Sequence, residues 1–260
     1  MDKRKSLLKY TWDIYRKNFA LLVLAAVPGL LGLVIPLIVS ALNTADPIYI
    51  SLGATYLRTM SIVDLSTIDV VVMGVSFLIS LYLMSFAIVG INLVVKRQRT
   101  LRRLEMEVIK SIAQMTNSVF VVFLSATMIL LIIQVVAYEY NAQAVLAPIL
   151  NFVVGLGLLL MPAALVMDDV RAFRALQRGL RVVAKSPRAV FEWIVVALIL
   201  LSVLDFILFF VFGLLDNVLP FNVHFVASWI VLAFNSLIIL PYLIVMLAQI
   251  YISKYTILVD

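Results

Sequence analysis

The residues that could do chemistry are few, and their spacing argues against an active site. There is one histidine, His224, and no cysteine. That removes thiol catalysis, thiolate metal sites and disulfides, and it leaves no paired histidines for a zinc centre. No phosphate-binding loop or dinucleotide fingerprint occurs. Ser76 follows Gly74, but Leu78 stands where a nucleophile elbow needs its second glycine. A Ser76–His224 pair would have to be recognised by geometry, and no spacing supports one. The expectation is a non-enzymatic protein with no catalytic residue, no metal site and no cofactor.

The carboxylates say more. Asp205 is the only one well inside a long apolar run. A charge in such a place is costly unless it faces water, finds a partner or takes up a proton, so the residue is a candidate site. Gln134 and Asn151, on consecutive antiparallel runs, fall toward the outer side of the membrane like Asp205, and Asn235 lies near the middle of its run. Facing one another, Asp205, Asn151, Gln134 and Asn235 would line a polar pocket. Paired separately, they would be interhelical hydrogen bonds that need no ligand, and this second reading is favoured. Asp168 and Asp169 stand beside a basic stretch, where ion pairing or capping of the next helix is expected.

The elements that must position these residues follow from composition. The 260 residues are 65% hydrophobic and 13% charged, far from the balance of a soluble globule. Six apolar segments stand out: Phe19–Leu42, Val70–Val95, Val119–Ala137, Ala144–Met167, Ala189–Leu215 and Phe225–Ile250. Each is long enough to cross about 30 Å of hydrocarbon as a helix, and long unbroken runs are not the alternating pattern of a β-barrel. The fold class is therefore all-α: a polytopic membrane bundle of six transmembrane helices in a single membrane domain, residues 1–260. The basic start of the chain is followed by an apolar run too long for a cleavable signal, so that run is expected to be retained as the first span.

Charge orients the bundle. Nineteen of the twenty Lys and Arg residues fall before the first span, between the second and third, between the fourth and fifth, or after the sixth; only Arg58 falls on the other side. Positive flanking segments stay inside, which places both termini in the cytoplasm of a cell-membrane protein. The net charge of +6 is thereby absorbed by topology and by attraction to anionic headgroups, with no nucleic-acid partner implied.

The basic segments have helical periodicity. Phe173, Leu176, Leu180 and Val183 share one face, while Arg171, Arg174, Arg178, Arg181 and Lys185 take the other. Leu101, Leu104, Val108, Ile112 and Met115 make a second stripe near Arg102 and Arg103, and Leu8, Trp12 and Tyr15 a third. These read as amphipathic helices in the inner interface, with lipid headgroups contacting Arg171, Arg174, Arg178, Arg181, Lys185, Arg102 and Arg103. Asn18, Ser118 and Ser186 follow the stripes at like positions and would mark each turn into a span. The chain thus divides into three pseudo-repeated units, roughly 3–95, 99–167 and 169–252.

Prolines 28, 36, 148, 162 and 241 lie within spans, and Pro28-Gly29 with Gly32 makes the first span the expected broken helix. Ala25-xxx-Gly29 and Ser76-xxx-Ser80 are small-residue spacings suited to close helix contact. In the segment from Asn43 to Asp69, residues Tyr49, Leu52, Tyr56 and Met60 fall at helical spacing, predicting a short surface helix.

The stretch from Gly155 through Pro162 to Asp168-Asp169, then Ala175-Leu176 and Ser186, with Pro241 and Tyr251 in the last span, resembles a group of six-span prokaryotic membrane proteins. That group is similar to the membrane domain fused to some glycerophosphodiester phosphodiesterases. Pro187 directly after Ser186 departs from its pattern, and the phosphodiesterase domain is absent. The resemblance implies architecture and an association with lipid or envelope, and carries over no catalytic residue. The functional expectation is a protein that organises lipid or partner subunits at the inner leaflet, in which membrane lipids are the partners and a homo-oligomer or partner membrane subunit fits equally. The alternative is a small-solute transporter or channel subunit using the outer polar residues.

Overall fold

The computed structural model describes residues 7–42, 67–100, 106–140, 142–215 and 223–255. The expected surface helix around Tyr49–Met60, and Arg58, Arg102 and Arg103, lie outside the described residues, as does the His224 side chain. Among the described residues the regular structure is helical, without strands. The helices are α1 (Leu7–Lys17), α2 (Phe19–Leu42), α3 (Thr67–Thr100), α4 (Met106–Glu139), α5 (Gln143–Leu159), α6 (Met161–Asp168), α7 (Ala172–Lys185), α8 (Pro187–Leu215), α9 (Val223–Phe234) and α10 (Leu240–Tyr255), with a π-helical turn, Asn235–Ile239, between the last two. Six spans are long and apolar enough to cross a membrane: one each in α2, α3, α4 and α8, one formed by α5 with α6, and one by α9, the π turn and α10. The chain is a multi-pass membrane protein of all-α class.

Small residues set the closest helix pair. A Cβ on Gly29 would stand 3.1 Å from the Ala87 Cβ, and Gly90 faces Ala25 in the same way. A Cβ on Gly32 would stand 2.9 Å from the Ser80 carbonyl oxygen. The α2–α3 pair thus runs antiparallel with backbones nearly touching, as the Ala25-xxx-Gly29 spacing predicts. The first span is not broken, however. α2 is one helix with Pro28 and Pro36 inside it.

Prolines shape the other two multi-part spans. Pro162 opens α6 one residue after the break at Leu160–Met161, where a proline costs no intrahelical bond. α7 crosses that break with Gly179 against it: a Cβ there would stand 3.1 Å from Leu160 C and Met161 N. Pro241 lacks the N–H that would bond the Leu237 carbonyl, and its ring crowds that carbonyl. The preceding turn widens accordingly, and the Leu240 amide reaches back to Asn235 O in π geometry.

Two hydrophobic clusters form the core, and both sit at the basic end of the bundle. One joins Leu160 and α6 residues Met161, Ala163, Ala164, Leu165 and Val166 to Met246, Ile250 and Tyr251 of α10 and to Val89, Val119 and Val182; the other joins Ile14, Tyr15, Leu22 and Ala26 to Ile91, Val95, Val245 and Ala248. Away from that end packing thins. Half of the last span is buried, against 11% of the third and 6% of the fifth.

The turning points differ among the three basic segments. Asn18 separates α1 from α2, its side-chain amide donating back to Ile14 O at 2.9 Å. Ser186 separates α7 from α8, its carbonyl accepting from Ala189 and Val190. Ser118 lies inside α4, its hydroxyl donating to Gln114 O. From Met106 onward, then, the middle segment runs unbroken into its span.

Candidate functional site

At the basic end, α6 finishes with Asp168, and Asp169 takes a left-handed conformation (φ 53°, ψ 47°) that turns the chain into α7. The last carbonyls of a helix lack amide partners, and Lys96 of α3 donates to one of them, Val166 O, at 2.6 Å. A cation at a helix C-terminus also suits the dipole; a carboxylate there does not. Asp168 is held in place by two donors, Arg178 of α7 and Tyr251 of α10, the latter at 2.7 Å. The expected ion pairing of Asp168 is met, and capping of α7 is not: its N-cap, Arg171, makes no side-chain bond. Arg178, among the residues expected at the headgroups, is partly exposed and bonds Asp168.

The remaining surface of α7 divides into three sectors around its axis. Ala175, Gly179 and Val182 are buried against the bundle. Phe173 and Leu180 are exposed, at 70% and 44%, beside one another, and Leu180 reaches to 3.7 Å from the position of a Cβ on Gly157. Arg171, Arg174, Arg181 and Lys185 are exposed in the third sector. A helix seated where bundle, hydrocarbon and headgroups meet needs these three surfaces in this order. The sequence pattern had two faces. It missed the buried one because Ala and Gly carry little hydrophobicity, and their signal is small size instead.

α1 packs on α10 in a comparable way. Thr11, Ile14 and Tyr15 are buried, and Leu8 and Trp12 exposed. The Tyr15 hydroxyl donates to Ile238 O in the π turn at 2.9 Å, and burial pushes its phenol up to about 12, so it is a donor at physiological pH. The Trp193 indole of α8 donates to Leu243 O at 3.0 Å.

The four polar residues of the candidate intramembrane site form two pairs. Asn235 donates to Asp205 Oδ1 at 2.8 Å, joining α8 to the π turn. Gln134 donates to Asn151 Oδ1 at 3.2 Å, joining α4 to α5. No hydrogen bond links one pair to the other, so each ties its own helix pair, as the favoured reading of the sequence has it. Asn235 Oδ1 has no partner and borders a cavity of about 360 Å³ between α2, α3, α8 and the last span. A larger cavity, about 500 Å³, lies among α3, α4, α5, α6, α8 and α10. Ser76 is buried, and its hydroxyl has no partner. Among the described residues no cluster of His, Cys, Asp and Glu could hold a metal.

No family model, curated protein or solved structure matches this chain.

Proposed function

We propose that this membrane protein is non-enzymatic and organises lipid, or partner subunits through lipid, at the inner leaflet of the cell membrane, with both termini cytoplasmic. The observation that carries the reading is the three-sector surface of α7. Its exposed arginines and lysine lie beside exposed Phe173 and Leu180, a combination that inserts aromatic and aliphatic side chains below anionic headgroups. Each cation near an anionic surface contributes about 1 kcal/mol of attraction. Arg178 anchors the helix through Asp168, so the remaining charges are presented from a fixed support.

The test compares wild type with a variant carrying Arg171→Gln, Arg174→Gln, Arg181→Gln and Lys185→Gln, reconstituted in vesicles of phosphatidylcholine with phosphatidylglycerol. Lipid carried through purification is read by native mass spectrometry. Wild type should retain phosphatidylglycerol above its bulk share, and the variant should lose that enrichment. Equal lipid composition around both proteins would end the reading.

A further inference from the structure

The last span is bonded on both sides of its π turn by one helix and on the turn itself by another. Asn235, which starts the turn, donates to Asp205 of α8 at 2.8 Å. Leu243, beyond the turn, accepts from Trp193 of the same α8. Ile238, inside the turn, accepts from the Tyr15 hydroxyl of α1. Returning the turn to α pitch would rotate Asn235 and α9 against α10 by about 100°, one residue's share of a helical turn. Asn235 would swing off Asp205 while Leu243 stayed with Trp193. The geometry thus lets α8 keep both bonds only while the turn is wide.

Pro241 opens the turn without bonding it. In α pitch it leaves the Leu237 carbonyl without a donor, and in π pitch the Ser236 carbonyl, because it has no N–H to give either. Such turns are rare and gather at functional sites. The bonds that hold this one come from outside it, from Tyr15 and through Asp205. α8 has little else to keep it in place, since only 6% of its span is buried.

Tyr15 connects the turn to the surface of the protein. Its ring stacks on Trp12 with centroids 6.0 Å apart and meets Tyr242 edge-on at 5.4 Å. Trp12 is 54% exposed, Leu8 and Tyr10 are exposed near it, and Arg16 and Lys17 are exposed in the last turn of α1. Thr11, Ile14 and Tyr15 are buried against the bundle. α1 therefore carries the same three kinds of surface as α7. Anionic headgroups on Arg16 and Lys17, with Trp12 at the hydrocarbon boundary, would press it onto the last span.

We infer that α1 is a lipid-sensitive strap: seated by anionic headgroups, it holds the π turn, and through the turn the Asn235–Asp205 bond that ties α8 to the last span. The inference rests on the inner-leaflet reading only for the source of the headgroups, and it uses α1 and not α7.

The experiment places the full chain, with isotope-labelled asparagine, in bicelles of phosphatidylcholine with and without phosphatidylglycerol. The Asn235 side-chain amide, assigned by its loss in Asn235→Ala, reports the bond to Asp205 through its proton shift in nuclear magnetic resonance. Asp205→Leu supplies the unbonded reference. Phosphatidylglycerol should move the wild-type resonance further from that reference. Tyr15→Phe, which removes one hydroxyl and keeps the ring, should leave the resonance near the reference in both lipids. Arg16→Gln with Lys17→Gln should abolish the lipid response. Tyr251→Phe, which removes a hydroxyl of the last span bonded to Asp168, should preserve it. A wild-type resonance indifferent to phosphatidylglycerol, a response that survives Tyr15→Phe or the loss of Arg16 and Lys17, or one that Tyr251→Phe also abolishes would each overturn the proposal. The α7 charge variant leaves α1 intact and should keep the response, so lost lipid enrichment there and a lost Asn235 response here are separate outcomes.

Discussion

The Ser80 hydroxyl donates to the Gly32 carbonyl oxygen at 2.5 Å, and that carbonyl is the one Pro36, lacking an N–H, leaves without its helical partner. A side chain on the neighbouring span thus repairs the defect a proline makes in α2, which is why α2 passes through Pro36 as one helix. The repair needs the two backbones close together, and Gly32 permits it. Ser80→Ala should lower stability by about 1 kcal/mol, in the range of single interhelical hydrogen bonds. Gly32→Ala should cost more, about 1–3 kcal/mol, because a Cβ at 2.9 Å from backbone forces the helices apart. Unfolding in bicelles measures both, and a Gly32→Ala protein as stable as wild type would contradict the contact.

Asp168 joins α6, α7 and α10 through two donors. Removing either donor leaves a mostly buried carboxylate with one partner. Arg178→Ala and Tyr251→Phe should each destabilise by about 1–2 kcal/mol, reduced from the value for a fully buried charge because Arg178 is 32% exposed. The double variant should lose less than the two losses added, since both donors serve the same oxygen. Strict additivity in the cycle would show that they act separately.

The Asp205–Asn235 bond gives a different expectation. Asp205→Asn keeps an acceptor for the Asn235 amide and should change stability little. Asp205→Leu removes it, and the loss should fall near about 0.6 kcal/mol and not exceed about 1.7 kcal/mol. A much larger loss would mean that Asp205 does more than tie α8 to the last span.

Burial of Tyr15 holds its phenol at about 12, above the roughly 10 of an exposed tyrosine. Its share of stability is therefore complete below about pH 10 and is lost as pH rises from there toward 12. Tyr15→Phe should lower stability at neutral pH and flatten the alkaline decline. An unchanged slope between about pH 10 and 12 would count against that burial.

Orientation can be read by single-cysteine labelling, because the native chain has no cysteine. Lys185→Cys and Arg188→Cys, both exposed, should react only after the membrane is permeabilised, whereas Tyr140→Cys, 78% exposed at the opposite end, should react in intact cells. The reverse pattern would invert the topology. Ser186 is a poor probe, being 8% exposed.

The spans were legible because each is a property of about twenty consecutive residues, and the α2–α3 contact because small-residue spacing survives into packing. Pairings were harder. Asp168 and Tyr251 are 83 positions apart, and nothing local to either names the other. Asp205 was visible as an anomaly, yet its partner had to be chosen among several amides, and structure selects Asn235. Ser118 sits at the same place in its stripe as Asn18 and Ser186, but a helix turns only where its backbone bonds are interrupted, and periodicity alone does not report that. The π turn had a local signal in Pro241, which sequence can read only as some distortion of unknown kind.

Tyr15 of α1 and Trp193 of α8 each donate to a carbonyl of the last span. Peeling α1 off the bundle would break the Tyr15 bond to Ile238 O, so α1 and the π turn of the last span are expected to loosen in concert. Amide exchange should report one shared opening rate for the two, with α1 acting as a structural clasp on the last span.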